Sequence, residues 1–74
     1  MNKLHHNKIV ILDRIRLNIL YATMKPDDTR YGTVCKVLER AIDIERKKNA
    51  PCMNVPVRVY EFRKLFPDNL EETY

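Results

Sequence analysis

The stretch LHHNKIVILDRIRLNILYATM, residues 4–24, decides how the rest of the chain is read. Placed on a helix at about 100° per residue, Ile11, Leu12, Ile15, Ile19 and Ala22 gather on one side, and Ile9, Val10, Leu17, Leu20, Tyr21 and Met24 on the other. Arg14 with Asn18, and Arg16 with Thr23, form thin polar seams between them. A surface helix needs a single apolar stripe, so a second one must be covered from the same chain or from another. The sequence thus predicts a helix over residues 4–24 that presents Val10, Leu17, Leu20, Tyr21 and Met24 to a second copy of the chain.

Lys25 and Pro26 end this helix, because the residue before a proline is pushed out of the helical region. Asp27, Asp28 and Thr29 can each cap the next one. Over residues 29–48 the pattern is cleaner: Tyr31, Val34, Cys35, Val37, Leu38, Ala41, Ile42 and Ile44 share one half of the wheel, and Lys36, Glu39, Arg40, Asp43, Arg46 and Lys47 the other. A connection this short makes the two helices antiparallel neighbours. Asn49 and Pro51 close the second helix.

Residues 50–74 form an appendage. Val55, Val57 and Val59 alternate with Pro56 and Arg58, which predicts an extended segment, although Pro56 is also suited to opening a short helix. A two-turn helix over Tyr60 to Phe66 follows, stopped by Pro67. The expected fold is mainly α: one domain over residues 1–74, built as an antiparallel helical hairpin with a short C-terminal extended segment and helix, dimerising into a four-helix arrangement. The competing cover for the first helix is the appendage folding back in a monomer.

Length supports the need for a partner, since 74 residues lie near the lower limit for an unaided core. The net charge of +4 is spread out. Residues 1–24 carry four bases against one acid, 25–49 seven against five, and 50–74 three against four. That balance permits binding to a polyanion without demanding it. Two cysteines and the absence of a signal-like or membrane-spanning run point to a reduced, cytoplasmic compartment and no membrane.

His5, His6, Cys35 and Cys52 are zinc-binding residue types, but their spacing lacks the close pairs of a structural zinc site. The expectation is a small buried Cys35, a half-exposed Cys52 and two solvated histidines, with no metal and no cofactor. One glycine in the whole chain leaves no phosphate loop, and no acid, base and nucleophile stand together, so no enzyme is expected. Gly32 reads as a close approach between helices or an irregular helix start. A helix-turn-helix nucleic-acid binder, using Arg14, Arg16, Arg46, Lys47 and Lys48, is the runner-up, weakened by the acids interspersed on the second helix.

Arg58, Tyr60, Phe62, Arg63 and Phe66 are the best candidates for contact with another protein, because aromatics and arginine dominate binding energy at interfaces. The expected function is a non-enzymatic protein-binding module, an adaptor or inhibitor. In size and style alone it is similar to small phage products that bind host machinery.

Overall fold

Three consecutive β-branched residues, Ile9, Val10 and Ile11, favour extended backbone, and Asp13 supplies a carboxylate suited to starting a helix rather than continuing one. A computed structural model describes residues 8–68, and it follows those local preferences. Strand β1 spans Ile9–Asp13 and helix α1 spans Arg14–Thr23. At the junction Asp13 keeps extended backbone while its carboxylate accepts the Ile15 N–H at 2.8 Å. The continuous helix expected over residues 4–24 is therefore replaced by a strand and a shorter helix.

Helix α2 spans Tyr31–Lys48. Asp28 prepares its start, with its carboxylate accepting the Arg30 N–H at 2.8 Å and its carbonyl the Tyr31 N–H at 3.0 Å. Its end turns through Asn49 in left-handed backbone, φ 51°, a conformation asparagine tolerates better than most residues. A Cβ on Gly32 would meet nothing within 4 Å, so no close approach explains that glycine. Helices α1 and α2 run antiparallel: Arg14 at the start of one bonds Glu45 near the end of the other at 2.8 Å, and Tyr21 and Tyr31 meet at the opposite end with ring centroids 6.0 Å apart.

Strand β2 spans Asn54–Arg58 and helix α3 spans Val59–Leu65. Val55 and Val57 thus lie in a true strand, while Val59 opens the helix; the strand pairs antiparallel with β1 in the register Ile9 to Arg58, Val10 to Val57, Ile11 to Pro56, Leu12 to Val55 and Asp13 to Asn54. Three helices and a two-stranded sheet make an α+β fold, which corrects the mainly α hairpin and its four-helix pairing. The physical reason is that a four-residue apolar run fits both periods, and here the partner strand is supplied from far along the chain.

The register also fixes which backbone groups face where. Proline has no N–H, so Ile11 and Pro56 cannot exchange hydrogen bonds, and the exchanging pairs must be Val10 with Val57 and Leu12 with Val55. The next pair in that series, Arg14 with Met53, is bonded as this parity requires, Arg14 N–H to Met53 O at 2.9 Å. Ile9 and Ile11 consequently aim their own N–H and C=O groups away from β2.

Each element contributes to one core: Leu12 from β1, Leu17 from α1, Val34, Val37 and Ala41 from α2, Val55 and Val57 from β2, and Phe62 and Leu65 from α3. Cys52 joins them at 6% exposure while Cys35 is only half-buried, which reverses the expected order of the two thiols. The linker carries Cys52 into the core, its thiol donating to the Asn54 carbonyl, whereas Cys35 stands half-buried on α2. Among the described residues no helix is long and apolar enough to cross a membrane.

On α1 the two stripes take opposite roles. Leu17 is fully buried, and Leu20 and Met24 pack against the core, whereas Ile15 and Ile19 remain 56% and 59% exposed. Leu17→Asp should abolish the cooperative melt and the helical circular-dichroism signal, because a carboxylate replacing a fully buried side chain costs on the order of 4 kcal/mol or more. Ile19→Lys should shift stability by no more than about 0.5 kcal/mol. The opposite pattern would mean that α1 is rotated about its axis.

Candidate protein-binding surface

The sheet has an inner face of Val10, Leu12, Val55 and Val57, and an outer face of Ile9, Ile11, Asp13, Asn54, Pro56 and Arg58, because side chains alternate along each strand. Nothing in the described residues covers the outer face. Ile9 is 50% and Ile11 60% exposed, Arg58 is exposed opposite Ile9, and Tyr60 lies just beyond at 59% exposure. A shallow cleft of about 290 Å³ opens here, lined by Ile9, Arg40, Pro56, Val57 and Arg58. Apolar side chains beside an arginine and a tyrosine are the composition of a protein-contact surface.

Arg40 on α2 and Glu61 on α3 build the far side of this surface. Their side chains form a two-pronged pair at 2.9 and 2.8 Å, and Arg40 also donates to the Pro56 carbonyl at 3.0 Å. The same carboxylate accepts the Arg58 N–H at 2.8 Å, closing the first turn of α3. Glu61 is almost wholly buried, with its side chain 5% exposed, yet the Arg40 hydrogen bonds hold its carboxyl below the usual value. Burial pushes the other way and the Arg58 N–H helps Arg40. Sequence reasoning missed this residue; the signal was a glutamate three positions after the residue preceding a helix.

The five residues expected to contact a partner separate into two groups. Arg58, Tyr60 and Arg63 are on the surface. Phe62 is buried at 2% exposure and Phe66 is half-buried. Their rings stand 5.1 Å apart, and the Arg16 guanidinium lies 4.2 Å from the Phe66 centroid and 5.5 Å from that of Phe62. Phe62 thus anchors α3 to the core. Ile9 and Ile11 replace the two phenylalanines as the apolar part of the surface; the uniformly apolar run 9–12 carries no period that would single them out.

The residues expected at a dimer contact are also divided. Val10, Leu17, Leu20 and Met24 face the chain's own core, and Tyr21 alone is exposed. Tyr21 edges a second, open groove of about 400 Å³ with Cys35, Leu38, Glu39 and Ile42. Beside it the Tyr31 hydroxyl is pushed up to about 12 by Tyr21, with Cys35 adding to the effect, so it stays neutral at physiological pH.

Two of the bases proposed for phosphate are engaged inside the fold, Arg14 with Glu45 and the Cys52 carbonyl, and Arg16 with the Phe62 and Phe66 rings. Lys47 pairs with Asp43 at 3.2 Å, and Arg46 and Lys48 are exposed at the end of α2. His5 and His6 lie outside the described residues. Among those described, no group of three or more histidine, cysteine, aspartate or glutamate side chains could hold a metal ion. Comparison of the chain with protein-family models, curated proteins and solved structures found no match.

The Arg40–Glu61 pair gives a pH dependence of definite sign. A carboxyl whose value is lowered in the folded state adds stability above the unfolded value, near 4.3, and loses that contribution as pH falls through the folded value. Glu61→Gln should cost about 2 kcal/mol at neutral pH, the upper range for buried pairs being reduced because Arg40 is one-third exposed. Urea denaturation at neutral and mildly acidic pH checks this: the variant should lose less stability on acidification than the parent. Both lose some, because Asp28, lowered to about 2, and Glu45 are also held down by arginine or backbone partners.

Proposed function

We propose that this chain is a non-enzymatic, cytoplasmic protein-binding module, an adaptor or inhibitor of another protein, and that it docks through the outer face of its sheet. The observation that supports this reading is the placing of Ile9 and Ile11, both at least half-exposed, on the outer face of the two-stranded sheet, with Arg58 opposite Ile9 and exposed Tyr60 two residues further along the chain. Burying an isoleucine fully is worth roughly 1.5–3 kcal/mol, so each of these two leaves about half of that available to a partner. Tyr60 adds a large side chain at small entropic cost, and Arg58 offers paired hydrogen bonds to a carboxylate on the partner's rim. Lys64, exposed on the same short helix, favours an acidic rim as well.

A reduced compartment suits the two cysteines, both free thiols. The nucleic-acid reading draws less support, since Arg14 and Arg16 hold the fold together and the second helix alternates acids with bases.

The test is affinity capture from a nuclease-treated extract, comparing the parent chain with the double variant Arg58→Ala, Tyr60→Ala. Recovery of specific partners should fall by roughly 30-fold or more, as expected when two central contacts worth about 2 kcal/mol are removed, while the helical signal is unchanged. Equal recovery by both proteins would refute the surface. Salt-sensitive DNA or RNA binding without any captured protein would refute the function.

A further inference from the structure

The two edges of the sheet are finished differently. On the outer edge of β2, Pro56 has no N–H to offer, its carbonyl is taken by Arg40, the Arg58 N–H is taken by Glu61, and the Asn54 carbonyl accepts the Cys52 thiol at 3.3 Å. That edge is closed from Pro56 to Arg58. On the outer edge of β1, the N–H and C=O groups of Ile9 and Ile11 point outward, and no described residue bonds them. From Ile9 to Leu12 the strand has no proline, no charge and no bulge, the devices that ordinarily protect an edge.

We propose that β1 pairs antiparallel with β1 of a second copy, joining two sheets into one of four strands in the order β2, β1, β1, β2. The exchanging residues must come from the series Ile9, Ile11 and Asp13, whose backbone groups aim at that edge. A two-fold axis through Val10 then sets Ile9 opposite the second copy's Ile11, and Ile11 opposite its Ile9, so like-sized apolar side chains meet on the outer face. Shifting the axis to Ile11 would set Ile9 against the carboxylate of Asp13, which disfavours that register. Antiparallel pairing also brings the Lys8 end of one strand to the Asp13 end of the other, whereas parallel pairing would set Lys8 beside Lys8. Because β2 is closed, assembly stops at two copies and cannot run on into a fibre.

Sedimentation of the full chain, together with amide exchange by NMR, tests the pairing. The parent should pass from 8.9 kDa to twice that mass between micromolar and submillimolar concentration. The Ile9 and Ile11 amides should become protected over the same range, while those of Val10 and Leu12 are protected throughout. Ile11→Pro removes only an outward N–H, mirroring Pro56 across the ladder, and should weaken the dimer at least ten-fold with the helical signal intact. Ile11→Lys does the same with the backbone unchanged, should proline disturb the strand.

A parent that stays monomeric, or a dimer that persists undiminished in both variants, would overturn the pairing. So would larger multimers, or Ile9 and Ile11 amides whose protection is independent of concentration, the last meaning that no second copy occupies the edge. Ile11 belongs to both surfaces, so its variants are read for dimerisation alone; Arg58→Ala with Tyr60→Ala leaves the β1 edge intact and should leave the dimer unchanged, so loss of partner capture in that variant is a result separate from loss of the dimer.

Discussion

The Arg40–Glu61 pair ties together three elements that the chain order keeps apart. Arg40 comes from the middle of α2, Glu61 from the first turn of α3, and the Pro56 carbonyl from β2. A carboxylate this deeply buried needs its lone pairs filled, and two guanidinium bonds and one backbone N–H fill them. The cost of desolvating the pair is offset only while all three elements are in place, so the interaction specifies their relative position more than it adds net stability. Through it the β2 edge is sealed, α3 starts where it does, and Phe62 is directed under the sheet.

With α3 fixed, the aromatic end of the chain becomes interior structure. Phe62 and Leu65 complete the core between the sheet and α2, and the Arg16 guanidinium lies over the outer aromatic rings. A basic side chain that composition assigns to the surface is used here against an aromatic cluster, its guanidinium within cation–π range of both rings. Arg14 does similar work at the other seam, binding the Glu45 carboxylate and the Cys52 carbonyl and so tying the linker to both helices. The formal excess of positive charge consequently overstates how much basic surface is open to a ligand.

Helix α2 was legible because its polar half mixes acids and bases opposite an apolar half, with Asp27 and Asp28 just before its start and Arg46, Lys47 and Lys48 in its last turn. The strand β2 was legible for the complementary reason: Val55 and Val57 at spacing two around a proline, although the same spacing ran on to Val59, which opens α3. The strand β1 was not, because Ile9 to Leu12 is uniformly apolar and a uniform run has no period of its own. Assigning it to a helix sent Ile9 and Ile11 to the wrong surface and made Leu17 look like excess. What decides the matter is a partner strand on the far side of two helices, and single-sequence patterns carry no information about that pairing. The same limit applies to Phe62, whose burial depends on where α3 lands, and to Arg58 and Tyr60, whose surface position was legible but whose apolar neighbours were not.

The order of elements has a consequence for how the chain is made. Strand β1 leaves the ribosome before α1 and α2, and the strand it pairs with emerges only after both. The two helices can form and meet through local contacts, which close quickly, whereas the sheet requires ends separated by the whole helical pair. Until then a run of four apolar residues, Ile9 to Leu12, stands unpaired in the nascent chain, with both its edges and both its faces accessible. A helical pair that forms first would be the template on which the sheet closes, and the order of synthesis leaves this apolar segment waiting for its partner strand.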